Sequence, residues 1–546
     1  MDPVTAHTPN PNHLSGEQRG SQQRRTLLRV ALSVALGGFL MGFDASVISG
    51  VVGFIRTEFS LSDWQLGWAV GSLTLTATLG MLAAGPLSDR LGRRAVLVMA
   101  GALYALSALA SALAVDLTTF VVARMIGGLG VGASLIVGPM YLAEIAPAKS
   151  RGRLVSLNQL NIVIGISAAF FSNYLLLQLA QSSSSWVAWL HLDSAPWRWM
   201  LAVEVFPALL FFLALWFVPQ SPRWLIMRGR EQEAGEVLAM MYAPEEVTTQ
   251  VAQIRESLAS DQARTSTPVS ALFGRSIRWL LVIALALAIL QQITGINAVF
   301  FYAPMIFEQS GLSTDAAFLQ AALVGLTNLV FTLLAMALID RLGRRPLLLG
   351  GMAGIALSMG ILAWGFGQAS YSLSTERVQS MALPAEVSTL LTSPSTQSQA
   401  AFQSETELRA YLTETLGAER AGTHGNDIVK AAAELNSGLI VFAILFFVAS
   451  FAISIGPVMW VMLSELFPLS VRGLAVSLAG FVNSSVSFLV QLLFPVQLSS
   501  LGSSTTFLIY GAFGLIGFLF VARYVPETRQ KSLEELSIAL QRRHSD

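Results

Sequence analysis

Cysteine is absent from this chain of 546 residues, and charged residues make up only 12% of it. A typical soluble domain carries about 25% charged residues. Without thiols the chain can form neither a disulfide nor a thiolate metal site. The 33 Lys and Arg balance the 33 Asp and Glu, so there is no basic surplus that would suit nucleic acid. We therefore predict no metal site and no nucleic-acid partner.

Apolar residues account for 54% of the chain and recur in runs long enough to cross a bilayer as helices. We predict an all-α membrane protein with twelve transmembrane helices. Their predicted ranges are 28–52, 64–86, 95–114, 118–143, 155–180, 198–218, 279–307, 316–339, 347–367, 438–463, 474–495 and 505–524. The polar N-terminal segment has no apolar run, so we expect a disordered cytoplasmic tail over residues 1–27 rather than a signal peptide.

Two motifs occur twice along the chain. GPLSDRLGRR from Gly85 returns as ALIDRLGRR from Ala337, and YLAEIAPAKSRG from Tyr141 returns as MLSELFPLSVRG from Met462. Such a repeat indicates two similar structural units. We predict six-helix bundles over 28–218 and 279–524, a cytoplasmic helical linker over 219–278, and a cytoplasmic tail over 525–546.

Arginines and lysines gather in alternate loops, at 24–29, 90–94, 149–153, 341–345 and 472. Because positively charged loops stay on the cytoplasmic side, we expect both termini there. The second half also contains a polar insert, 368–437, which this topology places outside the membrane. SETELRAYLTETL, Ser404–Leu416, predicts a short surface helix within the insert, and we expect coil for the rest. Outer loops tolerate insertions, so we predict that the insert is dispensable for the protein's activity.

Three amides lie close together inside the seventh apolar run. Gln291 and Gln292 precede Gly295, and Asn297 follows it. A break at this glycine would turn all three amides toward one cavity, where their donors and acceptors would suit a neutral ligand rich in hydroxyl groups. The alternative is that these amides hold neighbouring helices together.

Three charged residues fall inside predicted spans of the first half: Asp44, Arg124 and Glu204. Charges at membrane depth are costly and tend to mark ion or proton pathways. Arg124 can balance Asp44, and a carboxylate between burial and a counter-charge can load and release a proton. The alternative is a static ion pair between two helices.

The chain resembles the sugar porters of the major facilitator superfamily. The resemblance lies in GFDASVISG from Gly42, DRLGRR from Asp89 and Asp340, PQSPRWL from Pro219, QQITGIN from Gln291, GPVMWVMLSELFP from Gly456 and PETRQKSLEEL from Pro526. It implies two bundles that rock about a central site. The family's pattern has glutamate where Gln220 stands, so one member of a cytoplasmic charge network is neutral here.

The resemblance also implies roles for individual residues. The implied sugar contacts are Gln159, Gln291, Gln292, Asn297, Asn328, Trp460 and Asn483. An acid at Asp44 is similar to the proton-coupled members, with Arg124 and Glu204 as its charged companions. The cytoplasmic charge network, which would gate the pathway by forming ion pairs when that side closes, comprises Asp89, Arg93, Glu144, Arg151, Asp340, Arg344, Glu465 and Arg472. Its alternative role is to keep these loops inside.

We therefore predict a proton-coupled importer of a monosaccharide in a bacterial inner membrane, working as a monomer with sugar, protons and the lipid bilayer as its partners. The aromatic residues Phe300 and Phe301 favour a hexose, with a pentose or myo-inositol still open. A facilitative uniporter is the first alternative, and a sugar sensor on a transporter body is another. The five His are scattered and no nucleophile–base pair stands out, so we predict neither an enzyme nor a cofactor.

Overall fold

The structure of the protein is a computed structural model. The structure describes residues 16–147, 150–263, 272–274, 277–374, 378–379, 381, 383–392, 401–402 and 405–529. The tail beyond residue 529 lies outside the described residues.

The first half is helical, and polar residues define where several of its helices begin. Ser62 and Asp116 each form a capping box, with Gln65 and Thr119 as the reciprocal partners. The helices are α1 (Gly16–Glu58), α2 (Asp63–Leu91), α3 (Arg93–Ala112), α4 (Leu117–Ile145), α5 (Arg151–Ala180), α6 (Ser185–Trp189), α7 (Pro196–Ala202) and α8 (Val205–Ala214). The segment 16–27, predicted as disordered tail, is instead helical, because its polar turns continue the apolar helix α1 without a break.

Three short helices connect the halves: α9 (Pro222–Met227), α10 (Glu231–Ala239) and α11 (Pro244–Ala263). The second half repeats the pattern of the first. Its membrane helices are α12 (Arg278–Ile293), α13 (Ile296–Gln309), α14 (Thr314–Leu342), α15 (Arg344–Gly367), α19 (Ser437–Ile453), α20 (Ile455–Leu466) and α21 (Leu469–Tyr524).

Within the described residues, 11 helical segments are long and apolar enough to cross a membrane. One of them, α21, has 56 residues and contains a non-helical glycine, Gly502, with φ 76°. At about 1.5 Å per residue, a helix of that length is far longer than one crossing needs. It therefore supplies two crossings, as predicted for 474–495 and 505–524. The predicted fold, twelve membrane helices in two six-helix bundles, is confirmed.

Two membrane crossings of the second half are broken in the middle. Between α12 and α13, Gly295 adopts the left-handed region with φ 94°. A side chain there would be strained and would also meet the ring of Tyr510 at 2.5 Å. Between α19 and α20, Ser454 leaves helical geometry with φ −125° and ψ −107°. Such breaks free backbone carbonyls and helix ends at membrane depth, where transporters bind their substrates.

The two halves contact each other near one end of the bundle, which we call the insert end because the insert lies there. Ser167 of α5 donates to the carbonyl of Gly325 in α14 at 2.7 Å. Phe54 of α1 packs on Phe318 of α14, with centroids 6.5 Å apart. The opposite end, the arginine end, carries the DRLGRR motifs. There the carboxylates of Asp89 and Asp340 are 58% and 81% exposed.

The insert is a folded unit with its own core. Helices α16 (Ala385–Thr392), α17 (Glu405–Leu416) and α18 (Ala418–Ala432) surround an antiparallel sheet of β1 (Ser370–Ser372), β2 (Ala401–Phe402) and β3 (Ala433–Glu434), in the order β2-β1-β3. Leu408 and Leu412 of α17 are buried together with Ile428 of α18. The helix predicted over Ser404–Leu416 is present from Glu405. The expectation of coil for the rest was wrong, because the apolar face of α17 is covered by α18 and the sheet.

Candidate functional site

The broken crossing α12–α13 brings the predicted amides into one hydrogen-bonded network. Gln291 Nε2 donates to the carbonyls of Ile455 and Gly456, at 3.2 and 3.0 Å, in the second broken crossing. Asn483 Nδ2 donates to Gln291 Oε1 at 2.7 Å, and Gln292 Nε2 donates to Asn483 Oδ1 at 3.1 Å. Residues far apart in the sequence thus meet at membrane depth.

The network continues through residues that the sequence analysis missed. Asn297 Nδ2 donates to Gln292 Oε1 at 2.7 Å and also to the hydroxyl of Ser487. Gln491 Nε2 donates to the same hydroxyl at 2.9 Å. Gln491 Oε1 accepts from Thr74 at 3.0 Å, across the boundary between the halves. The signal available was spacing, because Asn483, Ser487 and Gln491 recur every four residues on one face of α21.

The remaining predicted sugar contacts lie apart from this network. Gln159 is exposed, Asn328 is buried, and Trp460 is 42% exposed. The Trp460 ring faces Gly480, where an added Cβ would lie 3.8 Å from the indole. Among the described residues, no hydrogen bond links these three side chains to the amides.

Asp44, Arg124 and Glu204 meet inside the first half. Each is at most 2% exposed. Arg124 Nη1 forms an ion pair with Asp44, and Nη2 donates to the Asp44 carbonyl at 3.0 Å. The carboxyl group of Glu204 lies near enough to that of Asp44 for the two to interact electrostatically. In the described part of the chain Arg124 is the cation paired with this group, so one guanidinium faces two carboxyls.

Several buried polar atoms around this trio have no hydrogen-bond partner among the described residues. They are Asp44 Oδ2, Glu204 Oε1, Arg124 Nε, Ser107 Oγ and Ser111 Oγ. A Cβ on Gly127 would lie 2.4 Å from Ser107 Oγ and 3.1 Å from Asp44 Oδ2, so these two atoms line the same space. Buried polar groups are costly when unsatisfied. The surroundings of Asp44 can therefore accept a further proton or hydrogen-bonding group.

The predicted charge clusters form at the arginine end, and each lies within one half. In the first half Arg93 pairs with Glu144 at 3.0 Å and with Asp89 at 2.8 Å. In the second, Arg344 pairs with Glu465 at 2.8 Å and with Asp340 at 3.1 Å. Each pair joins helices of the same half. None of these four pairs joins one half to the other.

Two further arginines, Arg151 and Arg472, were predicted to belong to these clusters. Arg472 Nε donates to the carbonyl of Phe467 at 3.1 Å rather than to Glu465. The side chain of Arg151 lies outside the described residues.

Each cluster is completed by a segment that follows the last helix of its half. Ser221 donates to Glu144, and Thr528 donates to Glu465 at 2.6 Å. Just before them, Gln220 accepts from the backbone N–H of Arg94 at 3.4 Å, and Glu527 accepts from those of Arg344 and Arg345 at 3.1 and 3.0 Å. Pro219-Gln220-Ser221 is therefore the structural counterpart of Pro526-Glu527-Thr528.

Glu527 caps the N-terminus of α15 as a carboxylate. Partial burial raises the pKa of Glu527, but hydrogen bonds from the backbone N–H groups of Arg529, Arg344, Arg345 and Thr528 outweigh it, and the pKa is lowered. Gln220 fills the same place at the start of α3 without a charge.

This geometry combines an uncharged amide site in the second half with a buried carboxyl–guanidinium group in the first. It contains the hydrogen-bonding groups for a neutral polar solute and a group able to exchange a proton. The fold and these sites define a membrane transporter of two six-helix halves.

The comparisons with known proteins agree with that class. Residues 30–389 and 420–540 match the family described as sugar (and other) transporter, and the chain belongs to this family. It is 33% identical over 512 residues to the arabinose-proton symporter of Bacillus subtilis, covering 93% of this chain and 94% of the relative. It is 32% identical to the glucose transporter GlcP of Staphylococcus epidermidis, covering 93% and 96%. The inward-open structure of the xylose transporter XylE from E. coli superposes with a TM-score of 0.70 at 30% identity, covering 94% of this chain and 99% of that chain.

Proposed function

We propose that this protein imports a monosaccharide by proton symport and alternating access. The observation that carries the proposal is the presence of one site in each bundle: the amide network at the break near Gly295 in the second half, and the buried trio of Asp44, Arg124 and Glu204 in the first. The relative from Bacillus subtilis is named as a symporter of arabinose and protons. The protein would act as a transporter rather than an enzyme.

The sugar would bind at the amide network. Gln291, Gln292, Asn297 and Asn483 already exchange hydrogen bonds with each other, so hydroxyl groups of a sugar can replace these contacts with little net loss. Trp460 would pack on the apolar face of the sugar, as aromatic rings do. Gln159 and Asn328 would complete the contacts from the facing helices.

The proton would be carried by Asp44. Two buried carboxyls beside one guanidinium leave a net negative charge, which membrane burial disfavours unless one carboxyl holds a proton. Protonation of Asp44 would release Arg124 toward Glu204 and permit sugar binding from outside. Loss of the proton to the cytoplasm would restore the Asp44–Arg124 pair and reset the empty carrier. In a uniporter, the same three residues would only hold neighbouring helices together through the Asp44–Arg124 ion pair.

The arginine end would face the cytoplasm, with both termini on that side, because Arg90, Arg93, Arg94 and their second-half counterparts cluster there. The halves contact each other near the insert end, so this structure would correspond to an inward-facing state. The charge clusters would then stabilise each half as a rigid body during rocking. The location would be a bacterial inner membrane, and the functional unit a monomer.

The named sugars of the relatives include a hexose and pentoses. A hexose remains our proposal, with Phe300 and Phe301 of α13 beside the amides. The test is uptake by proteoliposomes of D-glucose, D-xylose, L-arabinose and myo-inositol, with and without an imposed pH gradient. We expect one of these sugars to accumulate only when the outside is acidic. Equal uptake with and without the gradient would favour the uniporter, and no uptake of any sugar would contradict the proposal.

A further inference from the structure

The insert reaches across the boundary between the two halves. It is connected only to the second half, through α15 and α19, and Ser437 at the start of α19 donates to the carbonyl of Ser310 at 2.6 Å. Yet a cavity of about 410 Å³ is walled jointly by the insert, the end of α13 and the end of α1 in the first half. The folded insert therefore covers the boundary between the two halves at this end.

The lining of this cavity combines groups of several kinds. Arg409 and Thr423 come from the insert, Thr57 from α1, and Gln309 from α13, with Tyr371 as an aromatic wall. The positive charge of a further lining residue, Arg56, is already paired with Asp63 at 2.8 Å. Hydroxyl, amide and guanidinium groups beside aromatic rings suit a neutral, hydroxyl-rich ligand. The volume lies within the roughly 300–1,000 Å³ typical of small-molecule sites.

A second cavity of about 810 Å³ continues from the first and shares part of its wall, including Thr57, Met305 and Glu308. It also reaches Pro304 of α13, the helix that carries Asn297 at its other end. Phe54 and Phe318, whose rings close the boundary between the halves, line it as well. The two cavities thus lie on the outer side of the closed contact, along the helix that leads to the amide network.

We infer that the cavity under the insert is a second sugar site, an antechamber that holds a neutral monosaccharide before the halves separate. This inference rests on the proposed function, because it assigns the insert end to the outside. The sugar held there would be delivered to the amide network when α1 and α13 move apart. The antechamber belongs to the insert and needs none of the central amides.

The test uses the absence of cysteine from the chain. Thr423→Cys places a single thiol in the antechamber, and its labelling by a maleimide is timed with and without D-glucose, D-xylose or L-arabinose. We expect at least one sugar to slow labelling by twofold or more, and to do so equally when Asn297→Ala is added to weaken the central site. Thr389→Cys, an exposed position on α16 that lines neither cavity, is the matched control and should label at an unchanged rate.

The outcomes separate this inference from the proposed function. No protection by any sugar, or equal protection of Thr389→Cys, would overturn the antechamber while leaving transport intact. Protection that disappears with Asn297→Ala would also overturn it, since the thiol would then report events at the central site. Protection in a protein that transports no sugar would refute the proposed function instead.

Discussion

At the scale of single residues, Asn297 offers the clearest test of the amide network as a sugar site. Its Nδ2 donates to Gln292 and Ser487, and its side chain is only partly buried. Asn297→Ala removes one partner for a sugar hydroxyl, which should cost about 0.5–1.5 kcal/mol. Sugar affinity should therefore fall roughly 2- to 12-fold. Equilibrium binding to purified protein measures this directly.

The matched control is Gln497→Ala. Gln497 Oε1 accepts from Tyr510 at 2.9 Å, so it is also a hydrogen-bonded amide of α21, but it lies outside the network. That variant should bind sugar normally. If Asn297→Ala binds sugar as well as the wild type and merely folds in lower yield, the amides hold helices together and are not a binding site.

The residue types of both sites could be predicted from the sequence, but several of their partners could not. Gln291, Gln292 and Asn297 stand out because amides are rare in apolar runs. Ser487 and Thr74 do not, since hydroxyls in membrane helices usually bond to their own backbone, as Thr76 does to the carbonyl of Ser72. Only the fold shows that Ser487 faces Asn297. The partners within the second charge cluster could not be predicted either: Arg344 pairs with Glu465, whereas Arg472 donates to the carbonyl of Phe467.

At the scale of helices and their ends, the two halves differ in one cap. Glu527 places a carboxylate at the N-terminus of α15, whereas Gln220 places a neutral amide at α3. A negative charge at a helix N-terminus stabilises it by about 0.3–1 kcal/mol. Glu527→Gln should lower the apparent Tm in thermal unfolding at neutral pH, and Gln220→Glu should raise it. An unchanged Tm in both variants would contradict this account of the caps.

The same pair gives a pH dependence. The pKa of Glu527 is lowered in the folded protein, so its stabilisation is present above the unfolded value, about 4.3, and is lost as pH falls through the lowered value. The difference in Tm between wild type and Glu527→Gln should therefore be constant near neutral pH and shrink under strongly acidic conditions. A difference that grows on acidification would have the wrong sign.

The helices themselves were largely predictable, because long apolar runs bounded by charge have few other ways to fold. The breaks also carry signals, Gly295 in one crossing and Gly456-Pro457 just after Ser454 in the other, because Pro457 has no N–H for the carbonyl of Ile453. The sequence does not show that Gln291 donates to the carbonyl of Gly456 at the second break. In the insert, Leu408 and Leu412 indicated an apolar face, and such a face needs a partner. The polar composition of the surrounding chain concealed that α18 and the sheet supply it.

At the scale of the whole molecule, the insert has its own core and is joined to the bundles at two points, 369 and 436. Replacing residues 370–434 with a Gly/Ser linker should therefore leave both bundles folded, and uptake at saturating sugar should be retained. If the antechamber collects sugar, the apparent KM should rise. Uptake rates in proteoliposomes over a range of sugar concentrations measure both quantities. If the variant reaches the membrane correctly folded but no longer takes up sugar at saturating concentration, the insert takes part in the transport cycle.

The central claim is that Asp44 couples proton movement to sugar movement through the whole carrier. Asp44→Asn is neutral and of the same size as the protonated acid, but it cannot release a proton. Exchange of sugar across the membrane needs no proton release, whereas accumulation does. Asp193→Asn is the matched control, because that carboxylate is exposed in a loop and bonds the neighbouring backbone N–H at 2.9 Å.

The most direct measurement is therefore uptake against a sugar gradient, driven by an imposed pH gradient, beside sugar counterflow in the same proteoliposomes. We predict that the wild type and Asp193→Asn perform both, and that Asp44→Asn keeps counterflow while losing accumulation. Accumulation by Asp44→Asn would show that the coupling proton is carried elsewhere. A wild type that exchanges sugar but never accumulates it would be a uniporter, with the buried trio of Asp44, Arg124 and Glu204 serving as a static ion pair.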